Sequence, residues 1–295
     1  MSKLLAEALE PLDPLTPLSI KPAAPPEPKP KRRLPYMAYE DQQRITRLCV
    51  RCGLLLMQYG AESATVVDLC QRLGYALGLA SVECGIAFNG ITITTIYNSR
   101  CITTLRAATT HVINVSIVVQ IQQIVLDLEN MPVTSTLEHA SERFDELDRS
   151  TYPPALVALM VGVSCACFAY LAGGDISTVS VTLVAAMTGF WVRFWLTKNH
   201  FNPFVAALIA AFFGSIFASL ALLLHIGNDP HIAIASSVLW LVPSFPLINS
   251  LSDILKNYMN IGIGRLMFVM VLTLSTCIGI VLSLLLLNIN HWGVG

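Results

Sequence analysis

Leu241-Val-Pro-Ser-Phe-Pro-Leu-Ile-Asn-Ser-Leu-Ser-Asp253 is a mostly apolar stretch that carries two prolines three residues apart. It overlaps one of five apolar stretches, each close to the roughly 20 residues that a helix needs to cross a hydrocarbon core of about 30 Å. Lipid offers no partner to backbone polar groups, so such stretches are expected to be helical. The sequence therefore predicts a membrane protein with a bundle of five transmembrane α-helices, at about 154–172, 176–196, 203–226, 232–251 and 265–287.

Charged residues are distributed very unevenly along the chain. They make up 13% of the 295 residues, against roughly 25% in soluble domains. Of the 37 charged residues, 30 lie within the first 151. We therefore predict three parts: a disordered proline-rich tail over 1–38, a cytoplasmic α+β domain over 39–150 and a transmembrane domain over 151–295.

Within the predicted soluble domain, two helices come first. Apolar residues recur at helical spacing from Glu40 to Tyr59, and a second such pattern begins at Glu62 or Ser63 and ends near Gly78. A Val-, Ile- and Thr-rich stretch then predicts a small sheet, with interruptions at Gly85 and Gly90 and a turn at Asn98-Ser99. Two further helices are predicted, His111–Glu129 and Ser135–Arg149, the second opened by a capping box.

The basic residues predict the orientation. The loops that would follow the first and third spans lack Lys and Arg, whereas those before the first span and after the second and fourth carry them. By the positive-inside rule, the N-terminus is expected on the cytoplasmic side of the membrane and the C-terminus on the opposite side. The first 30 residues lack the pattern of a signal peptide. The basic cluster that ends the tail either contacts anionic lipid or is a solvated segment.

The two prolines are expected to kink or break the fourth span, because each lacks an N–H and its ring clashes with the preceding turn. Transporters use broken helices to present polar groups to a substrate, although the same residues could form a packing kink between helices. We interpret the stretch as a substrate path and predict that five residues line it: Pro243, Ser244, Pro246, Asn249 and Ser250.

Two charged residues near predicted span ends are further candidates. Asp253 either carries a coupling proton or ion, or forms an ion pair with Lys256 in the headgroup zone. Arg193 either attracts an anionic substrate or anchors its helix at the cytoplasmic surface by snorkelling.

Other motifs give little indication of catalysis. Cys49-Val-Arg-Cys52 lacks the second pair that a zinc site would need, and both cysteines fall on the apolar face of a helix, so we predict core packing. Ser63 either starts a helix or acts as a nucleophile in a hydrolase. The sequence has no phosphate-binding glycine loop. We expect no catalytic residue, no cofactor and no metal, and the net charge of −1 gives no indication of a nucleic-acid partner.

Several of these segments together resemble one family. Tyr59-Gly-Ala-Glu-Ser63, Arg72-Leu-Gly74, the run from Leu159 to Phe168 and the stretch from Leu241 to Asn249 with Asp253 are similar to the bacterial threonine/serine exporter family in its short form. The likeness covers roughly residues 40–292. One departure is Ser244, where glycine is expected between the prolines.

The resemblance implies a secondary transporter with about half the spans of the long family members. It implies a second small multi-span membrane protein that completes the exporter, and a small organic anion, chiefly succinate, as substrate. Long members export threonine and serine, which makes amino-acid export the nearest alternative. A homo-oligomer in place of the second protein, a membrane-tethered hydrolase and a non-catalytic scaffold also remain open at this point.

Overall fold

The computed structural model describes residues 37–108, 112–131, 136–148, 150–223 and 230–287. The predicted tail therefore lies almost entirely outside the described residues. So do the end of the predicted third span and Ser135, with which the predicted capping box begins.

The N-terminal part, residues 37–148, combines helices with one antiparallel sheet of three strands in the order β1-β2-β3. The predicted turn between β2 and β3 is confirmed, because Asn98 and Ser99 have φ values of 45° and 64°, as a tight hairpin requires. Gly85, predicted as an interruption, instead pairs with Thr92 inside β1. The elements are α1 (Tyr39–Gln58), α2 (Ser63–Ala76), β1 (Ser81–Ala87), β2 (Gly90–Tyr97), β3 (Arg100–Ala107), α3 (Val115–Glu129) and α4 (Thr136–Asp145).

Large aliphatic side chains form the core of this part. Leu56 of α1 and Leu73 of α2 are fully buried, together with Ile93 of the sheet. The predicted packing role of Cys49 and Cys52 is confirmed, because both are fully buried in this core. Burial is also the main reason why the pKa of the Cys49 thiol lies well above its ordinary value.

The C-terminal part, residues 150–287, is helical throughout its described elements. Four of its helices are long and apolar enough to cross a membrane, or five if a bent pair counts as one span. The membrane class is thus confirmed, whereas the predicted five spans depend on how that pair is counted. The four are α5 (Pro154–Leu171), α6 (Ile176–Lys198), α7 (Pro203–Leu223) and α10 (Met259–Leu286).

The bent pair occupies the position of the predicted fourth span. It runs from α8 (Pro230–Ser237) through a short 3₁₀ turn at Leu239–Leu241 to α9 (Ser244–Leu255), with a bend of 56°. Pro243 lies at the break. Pro246 does not add to it, because it falls in the first turn of α9, where a missing N–H costs no helical hydrogen bond.

Small side chains dominate the contacts between the long helices. A Cβ built on Gly279 of α10 would lie 2.3 Å from the carbonyl oxygen of Leu208 in α7. One built on Gly162 of α5 would lie 3.1 Å from the carbonyl oxygen of Leu183 in α6. These helices therefore pack backbone against backbone, as is typical of membrane helices.

Candidate functional site

The loop between α1 and α2, Gly60–Ser63, belongs to the N-terminal part of the chain and forms hydrogen bonds with helices of the C-terminal part. Gly60 ends α1 in a left-handed conformation, with φ of 87°, that favours glycine. The Ala61 N–H donates to the Leu56 carbonyl at 2.8 Å, so α1 closes on itself and the chain turns at once into α2. The loop is thereby held rigidly at one end of the N-terminal core.

One face of α9 lies against this loop. Asn249, Ser252, Asp253 and Lys256 follow the i, i+3, i+4, i+7 spacing that places residues on the same side of a helix. The Asn249 side-chain amide donates to the Gly60 carbonyl at 2.8 Å, and the Ser252 hydroxyl donates to the Glu62 carboxylate. Lys256 Nζ lies 2.6 Å from Glu62 Oε1.

Asp253 is at the centre of these contacts and is fully buried. Its Oδ1 accepts the backbone N–H of Ser63 at 3.0 Å, although the two residues are 190 positions apart. Its Oδ2 accepts from Arg265 Nη1 at 2.7 Å, and Arg265 Nη2 donates to the Ala61 carbonyl at 2.9 Å. We call the contacts among Gly60–Ser63, α9 and Arg265 the junction.

The ion pair at the junction is well shielded from water. Arg265 is 8% exposed and lies within α10, and Asp253 is 0% exposed. An ion pair of this kind is stable only when both charges are present and their remaining hydrogen-bonding groups are satisfied. Here the loop forms one backbone hydrogen bond with each partner: the Ser63 N–H donates to Asp253, and Arg265 donates to the Ala61 carbonyl. The ion pair therefore depends on the loop.

Glu62 forms a second, more accessible ion pair beside the first. Burial would raise the pKa of its carboxyl, but hydrogen bonds from Lys256 and Ser252 and the charges of Lys256 and Arg265 lower it. The net result is a pKa below the ordinary value, and Glu62 is therefore a carboxylate at neutral pH. Two acids and two bases thus face one another across the junction.

The predicted substrate-path residues occupy different environments. Ser244 is exposed, and Pro243 and Pro246 are half-buried, all at the start of α9. Asn249 and Ser250 were predicted to have hydrogen-bonding groups available to a substrate. In this structure both groups are used internally, since Asn249 bonds Gly60 and the Ser250 hydroxyl donates to the Leu247 carbonyl at 2.8 Å.

The structure differs from two expectations about charges in this region. Of the two roles considered for Asp253, the ion pair with Lys256 is not formed, since Lys256 contacts Glu62 and Asp253 contacts Arg265. The predicted last span begins at Arg265, whereas α10 begins six residues earlier, at Met259. The physical reason is the same for both: Asp253 neutralises Arg265, so the arginine can lie inside the helix and the helix can extend past it.

Arg193 lies on α6, and its guanidinium carbon is 5.5 Å from the centre of the Trp240 ring. Trp240 belongs to the 3₁₀ turn just before the break, so this cation–π contact places a positive charge beside the broken span. Among the described residues, no carboxylate forms an ion pair with Arg193. A nearby groove of 380 Å³ is lined by apolar side chains and offers no charged anchor: Trp191, Val192, Trp195, Leu196, Ile209 and Phe213.

The hydrolase alternative loses its accessible nucleophile. Ser63 is fully buried as the first residue of α2, and its N–H is bonded to Asp253. Within the part of the chain that the structure describes, no group of three or more His, Cys, Asp or Glu side chains is placed to hold a metal ion.

Sequence reasoning missed Glu62, Lys256 and Arg265 as members of one cluster. A signal for part of it was available, because the four polar residues of α9 recur at helical spacing in an otherwise apolar stretch. An arginine seven residues into α10 was a second signal. The role of the loop was not visible, since nothing local links Gly60–Ser63 to residues some 190 positions later.

Comparison with known proteins identifies one family. The family described as "Putative threonine/serine exporter" matches residues 47–287, which include both the loop and the broken span. No solved structure is detectably similar to the chain.

Three relatives are informative. "Probable succinate transporter subunit YjjP" of Escherichia coli (strain K12) is 40% identical over 87% of this chain and 100% of its own length. The protein of the same name from Klebsiella aerogenes is 39% identical over 85% of this chain and 97% of its own. A "Probable threonine/serine exporter" of Mycobacterium tuberculosis is 25% identical over 82% of this chain but only 46% of its own length.

The family match covers well over half of the chain, and the Escherichia coli relative is matched from end to end. The family is one of exporters rather than enzymes. With its four long apolar helices and its bent helix pair, this chain is a membrane protein that belongs to the threonine/serine exporter family.

Proposed function

We propose that this chain is one subunit of a two-component secondary exporter of small organic anions, with succinate as the first candidate. The observation that carries the proposal is the buried Asp253–Arg265 pair at the end of a broken membrane helix. Ionisable groups in such positions are costly and are typical of ion and substrate pathways. The names of the two YjjP relatives support succinate as the substrate and a subunit role for this chain.

A second small multi-span membrane protein is proposed as the partner. The Mycobacterium tuberculosis exporter aligns with this chain over only 46% of its length, so an exporter of this family can be about twice as long as the aligned segment. A separate protein would supply the remaining helices, as would a second copy of this chain in a homo-oligomer.

The proposed substrate path runs along the break. Three residues line its start: Pro243, Ser244 and Pro246. Asn249 and Ser250 reach the substrate only when α9 separates from the α1–α2 loop, because their polar groups are otherwise bonded internally. Asp253 is the proposed coupling group. Arg193, stacked on Trp240 beside the break, is proposed to attract the anion.

The proposed setting is the bacterial inner membrane, with the N-terminus cytoplasmic and the C-terminus periplasmic, as the basic loops predict. Residues 39–150 would then form a cytoplasmic domain and 151–295 the membrane domain. In this arrangement the junction lies at the cytoplasmic mouth of the path, where an exporter takes up its substrate.

The second candidate function is export of threonine or serine, which the family description and the Mycobacterium tuberculosis relative favour. The two candidates differ in charge, because succinate is a dianion at neutral pH whereas threonine carries one positive and one negative group. Competition for efflux between the two solutes separates them.

The test is efflux of labelled succinate, with threonine in parallel, from preloaded cells. The strains express this chain alone, the candidate partner alone, or both. We expect succinate efflux only with both proteins. Efflux of neither solute, with both proteins present in the membrane, would contradict the proposal. So would unchanged efflux in Asp253→Asn, Pro243→Ala and Asn249→Ala at equal expression.

A further inference from the structure

The surroundings of Asp253 are those of a carboxylate-binding site. One oxygen accepts a backbone N–H at the first residue of α2, a helix of 14 residues, and the other accepts from a guanidinium. Helix N-termini and arginine side chains both bind carboxylates in proteins, through backbone N–H groups in the first case and through charge-assisted hydrogen bonds in the second. Glu62, at the N-cap position, makes no capping bond with its own side chain. A side chain from another element therefore fills a site that α2 and α10 create.

The site has a donor that Asp253 does not use. The Ser63 hydroxyl is fully buried and has no hydrogen-bond partner among the described residues. It belongs to the same residue whose N–H binds Asp253. A buried hydroxyl without a partner costs free energy, so an acceptor that reached Ser63 would gain a hydrogen bond that the structure leaves unmade.

We propose that Arg265 together with the N–H and hydroxyl of Ser63 forms a binding site for a substrate carboxylate, and that Asp253 occupies this site in the present structure and leaves it on protonation. This inference rests on the proposed export of organic anions. The exchange is balanced, because the proton stays on the Asp253 carboxyl and the substrate carboxylate replaces the lost charge opposite Arg265. No further reactant is needed.

Of the two acids at the junction, Asp253 is the one whose protonation would vacate the anion site, because its oxygens bond both Ser63 and Arg265. Lys256 at the C-terminal end of α9, Glu62 of the loop and Arg265 of α10 are the charged side chains that face this cluster. Glu62 is bonded to Lys256 and Ser252, and its pKa lies below the ordinary value, so it stays ionised through the neutral range.

The exchange also requires α9 to move. This helix of 12 residues is joined to the preceding turn at Val242-Pro243, which is the break in the span. When Asp253 becomes neutral, α9 loses its strongest bond to the loop. The same event therefore opens the anion site and frees Asn249, so that proton binding, anion binding and movement of α9 are linked.

Linkage gives the expected signature. If the anion binds only when Asp253 is protonated, its affinity rises as the pH falls, by up to about tenfold per pH unit while Asp253 is ionised in the free protein. The proton and the anion then bind together, and the substrate leaves with a proton. A purely structural ion pair would give no such slope.

The test is equilibrium binding of labelled succinate to the purified full-length chain, alone and with its partner, between about pH 6.5 and 8, where the diacid itself is largely ionised. We expect affinity to increase several-fold to about tenfold per unit of acidification. Asp253→Asn should abolish the slope. Glu62→Gln, which removes the other acid of the junction, should retain it.

Ser63→Ala separates anion binding from proton binding. Loss of the spare donor should weaken succinate binding several-fold while the pH slope remains. Equal slopes in the wild-type protein and Asp253→Asn, or no succinate binding to the folded wild-type protein, would overturn the inference. Efflux with a flat binding profile would leave the proposed function standing without this site. A pH-linked binding site without efflux would support the site and contradict the proposed export.

Discussion

The N-terminal part and the membrane helices are packed by different means. Leu56, Leu73 and Ile93 fill the N-terminal core, whereas alanine, glycine, serine and threonine dominate the buried positions between the membrane helices. Water drives large apolar side chains together in the first region. In the second region, lipid is as apolar as leucine, so close contact between helix backbones stabilises the packing instead. The junction differs from both, because the contacts that define it are ion pairs and hydrogen bonds.

The largest expected effect is at the junction itself. Arg265→Gln leaves Asp253 buried without its counter-charge, which should lower the free energy of unfolding by about 3–5 kcal/mol. The thermal unfolding of the purified protein, measured alongside its amount in the membrane, checks this. The double variant Asp253→Asn/Arg265→Gln removes both charges and should recover most of the loss. No recovery would mean that the pair is not a unit.

The N-terminal core should be the next most sensitive region. Leu73→Ala deletes a fully buried side chain and should cost about 2–5 kcal/mol. Leu247→Ala is the matched control, because this leucine lies on the exposed face of α9 and should change stability by less than about 0.5 kcal/mol. Equal losses of stability in the two variants would contradict the conclusion that large buried side chains stabilise the N-terminal core.

A third prediction tests the close packing of the membrane helices. Gly279→Ala would place a Cβ 2.3 Å from a backbone oxygen of α7, and separation of α7 and α10 should cost about 1–3 kcal/mol. At Gly214 the nearest atom to such a Cβ is 3.7 Å away, so Gly214→Ala should be tolerated. Thermal unfolding in detergent measures both; a more damaging Gly214→Ala would contradict the assigned contacts.

The smallest effect is expected at Glu62. Its pKa is lowered in the folded state, so its ionised form stabilises the protein above the ordinary pKa near 4.5, and this contribution is lost as the pH falls through the lower folded value. Both partners are partly exposed, so Glu62→Gln should cost less than about 1 kcal/mol at neutral pH.

The loss in Glu62→Gln should disappear on acidification. Unfolding midpoints at neutral pH and below about pH 4 measure it, with the exposed Glu142→Gln as control. A difference that grows in acid would have the wrong sign.

The fold was largely predictable because its signals are local. Apolar length identified the four long helices and the bent pair, proline chemistry identified the break at Pro243, and Asn98-Ser99 identified a hairpin. The boundary at α10 was not predictable, since an arginine in an apolar helix looks like a helix end until its partner is known. That partner, Asp253, and the loop at Ser63 are brought together only by the tertiary fold.

We propose that the junction couples proton binding to substrate export, and two aspartates provide a matched test of this role. Asp253 accepts the Ser63 N–H at 3.0 Å and Asp175 accepts the Thr178 N–H at 3.1 Å, each at the start of a helix. The measurement is succinate efflux by Asp253→Asn and Asp175→Asn, with the partner present and at equal amounts in the membrane. We expect at least a tenfold loss of rate in Asp253→Asn, equivalent to about 1.4 kcal/mol, and nearly normal efflux in Asp175→Asn. Equal rates in the two variants would contradict a special role of Asp253.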